Sequence, residues 1–147
     1  MLAAPACTCT GAWYLSPAAG VFTGNNFNGF ALYSESGGVL TQIAITANDP
    51  NNWKHAGPAM IKIPWTTSVS LTQNAYWLAF LYCSSAVTTL PTIFYSTATF
   101  YSGAQTLDLP NLLRISCTKA AQLSMPTTVN FNTLVNNTFS YPIMGIY

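Results

Sequence analysis

Clusters of Gly, Pro, Asn and Ser interrupt this chain at short intervals, and the segments between them have the length of β-strands. Gly reaches positive φ, Pro fixes φ and Asn tolerates the left-handed region, so each cluster can reverse the chain direction. The clusters fall at 16–17, 24–26, 36–38, 48–52, 57–58, 73–74, 84–85, 90–91, 102–103, 110–111 and 136–137. Many short strands at this spacing are typical of antiparallel sandwiches and barrels.

The segments between the turns are rich in β-branched and aromatic residues, which favour pleated strands over helices. We expect strands at 12–15, 27–33, 39–47, 59–63, 69–71, 75–83, 92–95, 112–118, 128–134 and 140–147. We therefore predict one all-β domain over residues 12–147, an antiparallel, jelly-roll-like β-sandwich of about eight to ten short strands. Residues 1–11 are expected to form an N-terminal extension or docking segment.

The segment 75–83 is apolar without alternation. A strand of this kind is typical of a sheet interior that is covered on both faces. It is far shorter than the roughly 20 apolar residues of a membrane helix, and we predict no membrane insertion.

Charged side chains are scarce: four are basic and three are acidic among 147 residues. The polar groups are instead neutral, and they come from 19 Thr, 12 Ser, 12 Asn and 4 Gln. Acid/base catalysis and metal binding need several ionisable groups in one place, and nucleic-acid binding needs a basic stripe. We therefore expect no enzyme activity, no cofactor, no metal site and no nucleic-acid partner.

The formal net charge of +1 gives little electrostatic repulsion between copies of the chain. Small soluble domains usually lie further from neutrality. We expect a homo-oligomer, with a trimer favoured, or a fixed place in a larger assembly.

The four cysteines do not follow the spacing of a zinc site. Cys83 and Cys117 lie in apolar, strand-like sequence, where buried free thiols are favoured over a disulfide because free Cys packs as a small hydrophobe. Cys7 and Cys9 are expected at the surface.

One loop holds the densest collection of chemically capable side chains: Asp49, Asn51, Asn52, Trp53 and His55. Trp53 could stack on a pyranose ring while Asp49 and the two amides bind its hydroxyls, which is the usual combination of apolar contact and a few placed polar groups. The structural alternative is that Trp53 folds back over the core while the Asn and Pro residues make turns. A His-based catalyst is disfavoured, because no frame such as G-x-S-x-G presents a nucleophile.

Trp65 follows Ile63 and Pro64, at a place where one predicted strand ends and another begins. Trp is enriched at binding hot spots, so Trp65 is a candidate interface or rim residue. Trp13 and Tyr14 are expected to anchor the first strand by packing.

Several stretches occur in an order that is found in a known family. They are A-W-Y-L at 12–15, N-G-F-A-L-Y-S at 28–34 followed by G-G-V-L at 37–40, Trp53, Gly57, V-S-L-T-Q-N-A-Y-W-L-A at 69–79, and an aromatic C-terminal strand. Together they resemble the β-sandwich domain that ends many minor tail proteins and tail fibres of phages infecting actinobacteria. The resemblance covers nearly the whole chain after residue 11. It departs from the family at Gln73 and Asn74, where a Gly is usual, and at 142–147, where P-I-M-G-I-Y replaces a Trp-Ala-Ala-Leu strand.

The resemblance implies a non-enzymatic phage virion protein, a minor tail or tail-fibre module that docks on other virion proteins and contacts glycans of the host envelope. Two alternatives stay open: a capsid decoration or minor capsid protein, and a stand-alone glycan-binding module. The chain lacks the basic start and apolar stretch of a secretion signal. We therefore expect synthesis in the host cytoplasm and a place in the virion, with the tail favoured over the capsid.

Overall fold

The computed structural model describes residues 2–4, 6–97, 117–118, 122–136 and 140–147, and these residues form antiparallel β-sheets. The strands are β1 (Leu2–Ala4), β2 (Cys7–Ser16), β3 (Val21–Gly24), β4 (Gly29–Ser36), β5 (Val39–Ile45), β6 (Ala59–Leu71), β7 (Asn74–Leu81), β8 (Ser84–Thr89), β9 (Tyr95–Thr97), β10 (Cys117–Thr118), β11 (Thr128–Asn130), β12 (Val135–Asn136), β13 (Ser140–Pro142) and β14 (Met144–Ile146). Short 3-10 helices lie at Pro50–Trp53 and Phe131–Thr133. The predicted all-β, sandwich-like fold is confirmed.

Two sheets form the body of the fold. The larger sheet has the strand order β1-β7-β4-β5-β11, and the smaller has the order β14-β2-β6. Three two-stranded ribbons, β3-β8, β9-β13 and β10-β12, flank them.

The main core lies between the two sheets, because alternate residues of both sheets turn toward each other. The larger sheet contributes Phe30 and Leu32 of β4 to this core, and the smaller sheet contributes Tyr14 and Ile61. The rings of Tyr14 and Phe30 lie 5.6 Å apart across the core. Side chains from both sheets therefore share one apolar interior.

On the other face of the larger sheet, a second cluster includes side chains from the residues on either side of β11, which is itself the last strand of that sheet. Ala31 and Tyr33 of β4 are buried there, and the Trp77 ring meets the Phe131 ring edge-on at 5.0 Å. Strand β7 lies between β1 and β4. The position of segment 75–83 as an interior strand is confirmed, whereas the predicted cover on both faces is only partial, because the side chains of residues 77–82 are half-buried.

The turn between β4 and β5 follows directly from its sequence. Gly37 and Gly38 have φ of +59° and +80°, and a two-residue hairpin of type I′ needs positive φ at both central residues. Glu35 Oε1 accepts a 2.8 Å hydrogen bond from the Gly38 N–H. This hairpin sets the register of β4 with β5 from Ser36 and Val39 as far as Tyr33 and Gln42, beyond which the register shifts.

Several predicted strand boundaries are wrong. The predicted strands 59–63 and 69–71 form one strand, β6, which tolerates Pro64 because it lies at the edge of its sheet. The predicted turn at 84–85 lies inside β8, and β3 was not expected. The predicted strand 112–118 lies outside the described residues except for β10.

The N-terminal residues also lie in strands. β1 pairs with β7, and the first half of β2 pairs with β6 from Cys7 onward. Cys7 is exposed as expected, whereas Cys9 is 1% exposed, so its predicted surface position is wrong. Cys83 is buried and free as predicted, and the Cys117 side chain lies outside the described residues.

Candidate functional site

The predicted ligand loop is shaped by its own polar side chains. Asp49 has an extended backbone and caps the 3-10 helix Pro50–Trp53, since its Oδ1 accepts a 2.9 Å hydrogen bond from the Asn51 N–H. Pro50 occupies the first helical turn, where its missing N–H costs nothing. The Asp49 carboxylate is therefore engaged in holding the loop.

Trp53 lies inside the core and is 2% exposed. Its ring packs against the rings of Tyr14 at 5.1 Å, Phe30 at 5.2 Å and Phe80 at 5.9 Å. No ring face remains for a pyranose, so the prediction of Trp53 as a stacking platform is wrong. The structural alternative, in which Trp53 covers the core, is the one observed.

A network of asparagine side chains ties this loop to two other parts of the fold. Asn52 is buried, and its Nδ2 donates to the Asn28 carbonyl at 3.4 Å. Asn28 is fully buried; its Oδ1 accepts from the Cys83 N–H at 3.0 Å and its Nδ2 donates to the Asn25 carbonyl at 3.0 Å. The Asn28 N–H donates to Asn48 Oδ1 at 2.9 Å. These amides replace backbone partners where the chain leaves its strands.

The remaining polar side chains of the loop point outward. Asn51 and His55 are exposed, and the exposed Lys54 places its Nζ 4.8 Å from the centre of the Phe22 ring. The structure therefore divides the predicted set: Asn52 and Trp53 are interior, Asp49 is a cap, and only Asn51 and His55 face solvent.

Trp65 is also an interior residue, at 6% exposure. Its Nε1 donates to the Sγ of buried Cys9 at 3.1 Å. The prediction that Trp65 lies at an interface or rim is wrong, because its position in β6 turns it toward the core.

The outer face of the smaller sheet carries an aromatic pair that is not among the sequence-predicted site residues. Trp13 lies opposite Gly145, and a Cβ on that glycine would come within 2.7 Å of the indole. Tyr147 lies opposite Gly11 in the same way, with its phenol ring at 2.5 Å from such a Cβ. Each ring covers the glycine of the neighbouring strand.

We call this surface, formed by Trp13, Tyr147, Lys62 and Met60, the aromatic face. Lys62 lies opposite Trp13, and its Nζ is 5.1 Å from the centre of the Tyr147 ring. Met60 and Tyr147 are exposed. The sequence signal for this face is a glycine two residues before an aromatic residue, at 11–13 and again at 145–147.

Burial favours the neutral forms of three titratable groups. Burial raises the pKa of Tyr14 to about 12 and also raises the pKa of Tyr33 and of the Cys83 thiol. A neutral thiol is a poor nucleophile.

Within the described residues, no three His, Cys, Asp or Glu side chains gather closely enough to hold a metal ion. No helix in that part of the chain has the length and apolar character to cross a membrane.

The fold defines an all-β, sandwich-like protein built from antiparallel sheets. Comparison with protein-family models, with curated proteins and with solved structures gave no match to this chain.

Proposed function

We propose that this chain is a non-enzymatic structural protein of a phage virion, a minor tail or tail-fibre module that acts through protein contacts. The resemblance of its hairpin and strand-entry motifs to tail proteins motivates the virion assignment. The structural support is the nature of the exposed strands, which present hydroxyl groups and few ions.

The long edge strand β6 is the best example of such a surface. Its residues 66–68 are Thr-Thr-Ser and all are exposed, as is Ser70. Contact with another protein buries such groups at moderate cost when they find hydrogen-bond partners, whereas burying an unpaired ion is far more costly. A neutral strand surface thus suits assembly, and this observation carries the proposal.

Immunogold labelling of purified phage particles, together with mass spectrometry of their proteins, tests the proposal. We expect peptides of this chain in the particles and gold on the tails. Gold on the heads would support the capsid alternative and overturn the tail assignment. Absence of the chain from particles of the phage that encodes it would overturn the virion assignment altogether.

A second candidate function, contact with a host-envelope glycan, is supported by the aromatic face. Trp13 and Tyr147 lie on glycines of a sheet surface, and aromatic rings on a sheet can bind the apolar face of a sugar while nearby polar groups bind its hydroxyls. Lys62 and Thr10 supply such groups, since both are exposed.

A glycan array tests this second candidate with wild type, Tyr147→Ala and the control Phe94→Ala. Phe94 is an exposed aromatic residue that is not one of the four residues of the aromatic face, so its loss removes a comparable aromatic surface. We expect binding by wild type and Phe94→Ala and a loss of binding by Tyr147→Ala. A wild-type protein that binds no glycan would remove this candidate and leave the structural role unaffected.

A further inference from the structure

The dipeptide Asn28-Gly29 combines a reactive sequence with a buried position. It is the only Asn-Gly pair in the chain, which has 12 asparagines. In such a pair the glycine backbone nitrogen can attack the carbonyl carbon of the Asn side chain, because glycine has no Cβ to hinder the approach. Asn28 is 0% exposed, and Gly29 is buried at the start of β4. A chemically labile pair therefore lies inside the fold.

The packing of the fold requires both members of this pair. A Cβ on Gly29 would collide with the Oγ1 of Thr46, which lies against the glycine. The Asn28 amide bonds the Cys83 N–H through its oxygen and the Asn25 carbonyl through its nitrogen. Replacing either member by a less reactive residue would therefore disturb contacts on which the fold depends.

The same contacts restrain both reacting groups in the folded state. Ring closure needs the Asn28 Cγ and the Gly29 nitrogen aligned at roughly 3–3.5 Å. It also removes the Asn28 Nδ2, which donates to the Asn25 carbonyl at 3.0 Å, and displaces the Oδ1, which accepts from the Cys83 N–H at 3.0 Å. Gly29 lies opposite Leu81 in the pairing of β4 with β7, so its backbone is part of the larger sheet. The reaction thus requires these contacts to open first.

We propose that Asn28 is a deamidation site, which the folded protein protects and which reacts when the strands around it open. The Gly29 nitrogen loses its proton and forms a bond to the Asn28 Cγ, and the Cγ–Nδ2 bond breaks with release of ammonia. Water then opens the resulting succinimide at one of its two carbonyl carbons, which leaves an aspartate or an isoaspartate linkage. Water is the only co-reactant. This inference goes beyond the proposed function and does not depend on it.

The modified chain cannot rebuild the contacts of Asn28. Either product carries a carboxylate in place of the amide, so the Asn25 carbonyl loses its donor and a charge has to be buried. An isoaspartate linkage also adds a backbone carbon directly before β4. Deamidation therefore marks, irreversibly, those chains that have opened around Asn28.

Peptide mapping by mass spectrometry at mildly alkaline pH tests the protection. The replacement of the Asn28 amide NH2 by OH is followed in the native protein and in guanidinium chloride. We expect the native rate to be at least about tenfold lower, because the reaction follows the fraction of open molecules. Trp53→Ala, which weakens the core beside Asn52, should raise the native rate, and a variant that fails to fold should react at the denatured rate. The exposed Asn51→Ala is the matched control and should react like wild type.

Equal rates in the native and the denatured wild type, or a Trp53→Ala protein that reacts no faster than wild type, would overturn the protection. A denatured chain in which Asn28 stays unmodified would overturn the site itself.

A brief chymotrypsin pulse after a long native incubation tests the effect of the modification on the fold. Unfolded chains are digested and folded chains survive, because proteolysis follows the open form. We expect the modification at Asn28 in the digested peptides and not in the intact chain. Intact, protease-resistant chains that carry the modification would overturn the conclusion that a deamidated chain cannot rebuild these contacts.

Discussion

The indole Nε1 of Trp65 donates a 3.1 Å hydrogen bond to the Sγ of Cys9, and both side chains are buried. The Cys9 Sγ also lies 3.5 Å from the Gly11 carbonyl. This contact joins β6 to β2 at the place where their register shifts, between Cys9 and Gly11. A free thiol thus satisfies the indole at an irregular point of the smaller sheet.

Removing this acceptor should destabilise the fold. We expect Cys9→Ala to lower the free energy of unfolding by about 1–3 kcal/mol, because the Trp65 N–H is then buried without a partner. Cys9→Ser, which keeps an acceptor, should lose less. Urea denaturation measures the effect, with Cys7→Ala as a matched control expected to stay within about 0.5 kcal/mol because Cys7 is exposed. Equal losses for Cys9→Ala and Cys7→Ala would contradict the role of the hydrogen bond.

Trp53 should contribute to stability through its ring and little through its N–H. We expect Trp53→Ala to lower the free energy of unfolding by about 3–5 kcal/mol, as for other large-to-small changes in a core. Trp53→Phe should lose clearly less, because Trp53 Nε1 is buried without a hydrogen-bond partner among the described residues. Chemical denaturation with tryptophan fluorescence and circular dichroism gives both values. Wild-type stability in Trp53→Ala would show that the ring does not act as core.

Both the oxygen and the nitrogen of the Asn28 side-chain amide should contribute to stability. Asn28→Ala leaves the Cys83 N–H and the Asn25 carbonyl without their partners, at about 1–3 kcal/mol for each group that stays buried. Asn28→Asp keeps the acceptor for Cys83 but buries a charge and sets a carboxylate oxygen against the Asn25 carbonyl, so at neutral pH its loss should be at least as large as that of Asn28→Ala. The exposed Asn51→Ala is a control whose side chain makes none of these contacts. Thermal denaturation ranks the melting temperatures of the three variants. An Asn28→Ala protein as stable as wild type would contradict a stabilising role of these hydrogen bonds.

Gly11 should not accept a methyl group. A Cβ there would lie 2.5 Å from the Ile63 carbonyl oxygen and from the Tyr147 ring, so backbone has to move. We expect Gly11→Ala to cost about 1–3 kcal/mol, as overpacking does. In Gly11→Ala combined with Tyr147→Ala the ring clash is gone but the carbonyl clash stays, so stability should recover only in part. Full recovery of stability in the double variant would show that the added methyl group clashes only with the Tyr147 ring.

Alkaline pH should destabilise the protein through the buried Tyr14. Burial raises the pKa of Tyr14 to about 12 in the folded state, against about 10 in an unfolded chain. As the pH rises, the unfolded state therefore loses the Tyr14 proton before the folded state does. The resulting stabilisation is fully present below about pH 10 and is lost as the pH approaches about 12. The free energy of unfolding should fall by about 2–3 kcal/mol over this range. Denaturation at several alkaline pH values, compared with Tyr14→Phe, measures it. A Tyr14→Phe protein with an unchanged pH dependence would contradict this assignment.

Local sequence was sufficient for the features that depend on near neighbours. The glycines at 37–38 indicated the hairpin, and the apolar run at 75–83 indicated an interior strand. Cap chemistry at Asp49 is equally local, since Asp accepts from the N–H two residues later. The scarcity of charge predicted neutral exposed strands, as found on β6 and β8.

The candidate site could not be predicted in this way, because exposure of a side chain depends on distant partners. The sequence neighbours of Trp53, Trp65 and Trp13 do not show which of them is buried, yet the first two are interior and Trp13 lies on an outer face. Trp53 is buried because β2, β4 and β7 bring Tyr14, Phe30 and Phe80 around it.

Sequence alone determined that this chain forms antiparallel β-structure with neutral exposed strands, since turn residues, β-branched residues and the lack of ions act locally or as composition. Only the tertiary structure decided which aromatic residues are core and which lie on an outer face. Those outcomes depend on long-range pairings, such as Trp13 with Gly145 or Trp65 with Cys9, that join residues far apart in the chain.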